Sequence, residues 1–415
     1  MNKSLLSIAV FTTLLPLAST AWALDLSHFI DCVGPNVNGY GLTCPLDAGT
    51  NTLTTSSYGV GIWVTRAGVT IKGTSSVNPG GTVLQRGPTN TGALLLLAVA
   101  ATATGVTIQD MEFDGNRSNI QMTLGHCVWR YNGDDPGYYD LNFSYPSSGT
   151  VNNVWFVNAP ETAVIMGSGQ TLENSWIGAN GTSSASRTTG VFVGSNSTVQ
   201  NNYIYYAGTA AVTTFSQSVF IYGNSMYMNR YEGTYDGPGG VVDLDIGSSY
   251  ATVAYNYIDQ EHYAPSNGTI NGCTSYAAVT SGAVEISGSH HILRNNDVLY
   301  AGTGYQVGGP NSTSDIYMTG NPYNFGESSY YLQASYAGIN IRGNTETCNG
   351  SACPAVQNVT LDHLRTYYNT AYEVRFGGGA TGTGFENSQC ISPSTGVQVD
   401  GTNSANTSIP STSCP

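Results

Sequence analysis

The 415-residue chain is only 9% charged, has a formal net charge of −14 and contains two lysines, Lys3 and Lys72. A typical domain is roughly 25% charged. With no basic run, the composition argues against a nucleic-acid partner. It also disfavours polyanions unless a local arginine cluster or a bound cation intervenes.

Lys3, the apolar run over 5–17 and the small–any–small stretch Ala21-Trp22-Ala23 predict a secretory signal peptide over 1–23, cleaved near Ala23. The protein is therefore expected to be secreted, either extracellular or periplasmic. No later run is long enough to cross a bilayer, the nearest being 93–103, so no membrane partner is expected. Eight cysteines in an exported chain predict disulfides. Proximity pairs Cys32 with Cys44, Cys348 with Cys353 and Cys390 with Cys414. Cys127 and Cys273 are left as a long-range pair or as free thiols. No C-x2-C…C-x2-C zinc arrangement is present.

Residues 24–61 read as an N-terminal cap, with one helical turn at Leu26-Ser27-His28-Phe29-Ile30 and a loop over 46–53 entering the first strand. A solenoid needs such a cap to cover its open edge and apolar end. Over 62–400 one phrase keeps returning. A small residue precedes an apolar–any–apolar triplet, as in Gly190-Val191-Phe192-Val193, Gly240-Val241-Val242-Asp243-Leu244, Gly282-Ala283-Val284-Glu285-Ile286 and Gly338-Ile339-Asn340-Ile341. An Asn with a second triplet follows, as at Asn174, Asn202, Asn224, Asn256 and Asn296. Self-similarity at 20 to 40 residues signals a solenoid.

About eleven rungs are expected, starting near Ile62, Val106, Val151, Val164, Val191, Val212, Val241, Ala283, Tyr305, Ile339 and Tyr372, with a twelfth at Val397–Val399. The turn Asn are expected to adopt positive φ and to bond amide to amide along the stack. Residues 401–415 form a tail over the end of the stack, held by Cys414.

This pattern, with Ala67-Gly68-Val69-Thr70-Ile71-Lys72-Gly73 and Gly81-Thr82-Val83-Leu84-Gln85-Arg86, resembles the right-handed parallel β-helix proteins of the pectin-lyase-like superfamily over nearly the whole mature chain. The resemblance implies an all-β, single-stranded solenoid with three strands per rung and a substrate groove along the sheet of first strands. Most members act on polysaccharides as lyases, hydrolases or epimerases, and adhesins and phage spikes share the fold. The polygalacturonase and pectate lyase motif sets are not matched; Ile339-Asn340-Ile341-Arg342 echoes one polygalacturonase element.

Alternation within strands then locates a site. With Val242, Leu244 and Ile246 inward, Asp243 and Asp245 face outward. The Asp243 row continues through Glu285, Gln306, Asn340 and Glu373, and downward through Thr213, Phe192 and Ile165. The Asp245 row continues through Ser287, Gly308, Arg342 and Arg375. The outer face thus changes from neutral to densely polar in mid-chain.

Asp243 and Asp245 stand roughly 6.5–7 Å apart by Cα, and Asp243 and Glu285 about 4.8 Å. Carboxylates this close raise at least one pKa and supply an acid. An inverting glycosidase needs an acid and a base roughly 6.5–9.5 Å apart. In a lyase the same three could hold Ca²⁺. Arg342 and Arg375 could grip a sugar carboxylate or simply neutralise Glu373.

Insertions over 231–240, 259–282 and 323–337 surround the cluster. Tyr235, His262 and Tyr263, with Gln306, are the further substrate contacts expected. His290-His291 reads as structural and Asp134-Asp135 as a turn. The expectation is a monomeric, exported β-helix hydrolysing a polysaccharide by inversion. Its rivals are a cation-dependent uronan lyase and, in another class, a non-catalytic glycan-binding or adhesive solenoid. No resident cofactor is expected beyond calcium in the lyase.

Overall fold

The computed structural model describes residues 24–34, 40–53, 59–75, 81–87, 94–116, 140–159, 162–178, 189–205, 207, 210–227, 240–259, 269–270, 273–274, 282–299, 303–319, 337–348, 350–362, 364–367, 372–386, 389–391 and 397–399. Apart from one helix, the regular structure among the described residues is strand. Each turn of chain contributes one short strand to each of three faces, and equivalent strands of successive turns pair in parallel.

The first face is a sheet of twelve parallel strands, running from Gly59–Val64 and Leu94–Val99 through Val242–Leu244 and Gly282–Ile286 to Tyr372–Phe376 and Val397–Val399. The second and third faces are the two arms of a 19-stranded sheet. Where the nine-residue strands Val106–Asp114 and Gly149–Val157 pass from one arm to the other, Asp110 (φ 58°) and Asn153 (φ 53°) turn the corner in the left-handed region. Residues 106 and 151 therefore begin second-face strands, not rungs of the first sheet. The first-face strands of those turns are Leu94–Val99 and Leu141–Phe143, the first of which hides in an uninterrupted apolar run. Val397–Val399 does form the twelfth strand.

Alternation builds the core. Val191, Val212, Val242, Val284, Tyr305, Ile339 and Val374 form one inward column, paired residue to residue across successive rungs and almost fully buried. A one-residue slip would send this column to the outer face, so burial fixes the register.

The corner between the second and third faces holds the polar ladder. Asn202, Asn224, Asn256 and Asn296 are buried, and each side-chain amide donates to the carbonyl oxygen of the next where one follows, at 2.9–3.0 Å. Each also donates to a second-face backbone carbonyl, those of Leu172, Val199, Ile221 and Val253. Ser175 occupies the ladder position one rung below and donates from its N–H to Asn202.

The positive φ belongs to the preceding residue: Asn174, Asn201, Gly223, Tyr255 and Asn295. The expected coupling of left-handed backbone and amide bonding in one residue holds at Asn174, whose amide donates to Asn152 Oδ1 at 2.9 Å, and is corrected at Asn202, Asn224, Asn256 and Asn296. The turn residue bends the chain, and the next side chain, freed from that strain, satisfies buried backbone groups.

The helix Leu26–Val33 closes the N-terminal end, burying Phe29, Cys32 and Val33, and Asp25 caps it by accepting from the His28 N–H at 3.0 Å. It is longer than one turn, and 46–53 includes the strand Gly49–Leu53. Cys32 bonds to Cys44 and Cys348 to Cys353, as expected. Cys127 and Cys414 lie outside the described residues, and nothing is described of the Cys273 and Cys390 side chains. Residues 1–23 and 401–415 also lie outside them. No helix among the described residues is long and apolar enough to cross a membrane.

His291 is structural, as read. It is fully buried; its Nδ1 accepts from the Ala251 N–H at 3.1 Å, which places the proton on Nε2, 2.9 Å from the Ser287 carbonyl. Burial holds it neutral, with a pKa lowered from 6.5 to about 4. Neighbouring His290 is exposed and stacks on Tyr250.

Two outcomes are expected. Asn256→Ala orphans the Asn224 N–H and the Ile221 carbonyl and should cost on the order of 3 kcal/mol in chemical denaturation. Because the unfolded chain binds the His291 proton more readily, stability should be complete above pH 6.5 and fall as pH drops toward about 4. Thermal unfolding followed against pH should show this loss, and His291→Gln should lack it.

Candidate active site

The mid-chain polar row on the first sheet forms as strand pairing dictates. Val212–Thr214 pairs with Val242–Leu244 and that with Gly282–Ile286, so Thr213, Asp243 and Glu285 are consecutive. Gln306 and Asn340 follow, and Phe192 and Ile165 precede. Val242 and Leu244 are buried inward, whereas Ile246 is 45% exposed. It lies past the strand end in a turn, so the inward alternation stops at Leu244. Asp245 nevertheless stays on the sheet edge, its N–H donating to the Thr214 carbonyl at 2.9 Å.

Arg375, not Glu373, continues the row. Ala337–Ile341 pairs with Tyr372–Phe376 so that Ile339 meets Val374 and Asn340 meets Arg375. The expected pairing of Ile339 with Tyr372 is off by two residues; Val374 and Phe376, not Tyr372, are the apolar pair that fills the core positions over Ile339 and Ile341. Arg342 and Arg375 therefore stand in different rows. Gly377 follows Arg342, its N–H donating to the Ile341 carbonyl.

The row is outward-facing but not open. Glu285 is 7% exposed, Gln306 and Asn340 3% and Arg375 9%, while Asp243 and Asp245 are half-buried. Gln306 Nε2 donates to Glu285 Oε1 at 2.6 Å, a bond that favours the ionised carboxylate. Asp245 Oδ1 accepts from the Ile246 N–H at 2.5 Å, yet burial outweighs this and pushes its pKa above the ordinary carboxylate range. The Thr213 hydroxyl, below Asp243, is buried without a hydrogen-bond partner.

Beyond Gln306 lies a cationic knot. Arg375 donates to Asn340 Oδ1 at 3.3 Å and pairs with Glu346, which also stands 3.5 Å from Arg342 Nε. Glu346 is thus the residue that both arginines share, a role expected of Glu373, whose side chain is not described. The spacing Arg342-Gly343-Asn344-Thr345-Glu346 was the available signal, an acid four residues on in a turn. Tyr235, His262, Tyr263 and the Tyr-rich stretch over 323–336 lie outside the described residues, as does Asp134-Asp135.

Asp245 and Glu285 stand one diagonal apart on the outer side of the sheet. From strand geometry, Asp245 and Glu285 are about 8 Å apart by Cα. No three His, Cys, Asp or Glu side chains among the described residues are placed to hold a metal ion. Asp245 Oδ1 accepts a hydrogen bond within its own turn.

No family model and no curated protein sequence matches the chain. Among solved structures it is similar to the A-modules of two Azotobacter vinelandii mannuronan C-5 epimerases. AlgE4 is 15% identical with a TM-score of 0.53, covering 92% of this chain and 94% of that one. AlgE6 is 15% identical with a TM-score of 0.55, covering 91% and 93%. At this identity the likeness speaks for the backbone alone, and with the strand pairing it establishes the architecture: the chain is a right-handed parallel β-helix.

Proposed function

We propose that this protein is a polysaccharide-acting enzyme, an inverting glycoside hydrolase whose acid and base stand on the first sheet at Asp243, Asp245 and Glu285. The observation that carries the reading is the in-register pairing of Asp243 with Glu285, with Gln306 donating to the latter. Glu285, oriented by that donor, is the base that takes a proton from the attacking water. Asp245, whose pKa burial raises, is the acid that donates to the departing glycosidic oxygen. Asp243 lies between them in the pairing and biases both by its charge. Their separation suits a water held between acid and base.

The second reading, a uronan lyase or epimerase, draws on Arg375 and on the mannuronan-acting proteins that share the fold. Glu346 speaks against it, since a guanidinium already paired has less to offer a uronate carboxylate. Digestion of a neutral and anionic polysaccharide panel separates the two. Hydrolysis yields new reducing ends alone, whereas a lyase also yields ultraviolet-absorbing unsaturated ends.

On the best substrate, Glu285→Gln and Asp245→Asn should each lower turnover by roughly 10²–10⁴-fold while leaving the fold intact. Near-normal turnover in both would overturn the site. The pH–rate profile should lose activity on its alkaline side at a pH above the ordinary carboxylate range, because the acid must keep its proton. Arg375→Gln should lower stability by about 1–3 kcal/mol by leaving Glu346 and Asn340 short of a partner, with little change in turnover of a neutral glycan. A large loss on a uronan alone would favour the second reading.

A further inference from the structure

The third face carries a continuous line of aromatic rings that the first-sheet chemistry does not use. Across the five strands from the end of Gly149–Val157 to Tyr257–Asp259, Phe156, Ile177, Ile204, Met226 and Ile258 point inward and are fully buried. The alternate positions point outward and supply six rings. Trp155 lies 4.2 Å from Trp176 by ring centroid, Trp176 lies 5.6 Å from Tyr203, Tyr203 5.0 Å from Tyr227, and Tyr227 5.6 Å from Tyr257. Tyr205 sits 5.5 Å from Trp176 and 5.7 Å from Tyr203. Gly178 makes this possible: a Cβ there would lie 2.0 Å from the Tyr205 ring. Tyr203 is 41% exposed and the others are half-buried. With rungs about 4.8 Å apart, the line extends about 19 Å along the helix axis.

Its electrostatic setting is one-sided. Register continues the same two outward columns to Glu112 and Asp114 at one end and to Asp259 and Asp297 at the other. No Lys or Arg stands among the described residues of these columns. Asp114 is fixed by donors from Gln85, the Asn116 N–H and Asn158, at 2.8, 2.9 and 3.1 Å. One rung in from the Trp155 end, the Trp176 indole N–H is shielded and has no hydrogen-bond partner. A native fold seldom keeps such a group for stability's sake.

We propose that this strip is a second carbohydrate-binding surface, which seats a neutral glycan chain lying along the helix axis. Ring faces pack against the C–H faces of sugar rings, and a hexose unit is similar in length to one rung, so successive sugars meet successive rings. The carboxylates at the ends accept hydrogen bonds from hydroxyls and repel uronates, which selects an uncharged chain. A protein partner fits less well. An apolar surface laid here would offer the terminal carboxylates no hydrogen-bond donor of its own, whereas sugar hydroxyls do. The proposal is independent of the chemistry assigned to the first sheet.

The test uses Glu285→Gln protein, in which turnover does not interfere, in affinity electrophoresis through amylose, mannan, xylan and mixed-linkage β-glucan, with alginate as the anionic control. At least one neutral glycan should retard the protein and alter its tryptophan fluorescence. Trp155→Ala with Trp176→Ala should weaken binding by roughly tenfold or more. Should that variant fold poorly, Tyr203→Ser with Tyr227→Ser changes two outward positions and should weaken binding severalfold at an unchanged thermal midpoint. In the otherwise native chain, this Tyr pair of substitutions should leave turnover of short oligosaccharides unchanged.

Retardation by no neutral glycan, full retention of binding in both variants, or equal binding of alginate through the same rings would each overturn the proposal. Activity persisting in Glu285→Gln would count against the first-sheet assignment and not against the strip.

Discussion

Everything in this molecule depends on rungs pairing in parallel, residue on residue, through their backbones. A single rung is a bent loop with an apolar interior too thin to fold alone, and its amides and carbonyls project along the axis. They are satisfied only by the rungs above and below, so each rung acts as a template for the next. The inward valine column and the asparagine ladder enforce the same register from two sides. The first does so by burial, the second by an amide that bonds both to its counterpart one rung on and to a carbonyl of the neighbouring face. Two independent constraints on one degree of freedom explain how a chain so poor in charge can be specified with few ion pairs.

Strict stacking also turns a one-dimensional sequence into parallel rows, and rows concentrate chemistry. A carboxylate on one rung and a carboxylate on the next become neighbours about 4.8 Å apart without any dedicated turn or motif. Such proximity is costly for like charges, and the structure shows how the cost is managed. Gln306 donates to Glu285, the Ile246 N–H binds Asp245, and burial raises the Asp245 pKa. Farther along the sheet the sign reverses, with two arginines tied by one glutamate. The polar row therefore runs from acids through amides to a neutralised cationic end.

How much of this was legible in the sequence follows from which residues speak unambiguously. Asp243, Glu285, Gln306 and Asn340 lie in strands whose flanking apolar residues alternate cleanly, so their row could be read directly. Arg375 could not. Tyr372-Glu373-Val374-Arg375-Phe376 offers three apolar positions in alternation, and either Tyr372 or Val374 can be set against Ile339. Only the pairing of whole strands, with Phe376 over Ile341, decides between them. Leu94–Val99 was hidden for the opposite reason: with no polar residue in the run, alternation has nothing to display. The separate duties of Asn201 and Asn202 were invisible because one residue type serves both, bending the chain in one place and feeding the ladder in the next.

The same geometry explains why two unlike surfaces can coexist on one short stack. Each face of the solenoid is an independent column array, since a residue's neighbours are set by its face and not by its rung. The first face gathers Asp243, Glu285 and Gln306 into a shielded polar row. The third gathers Trp155, Trp176 and Tyr203 into a shallow aromatic one from earlier turns of the same stack. Substitutions on one face leave the backbone register of the other untouched so long as the inward column and the ladder hold. A parallel β-helix can therefore acquire a binding strip beside a chemical site with few structural consequences, and the limit on such additions is the register itself.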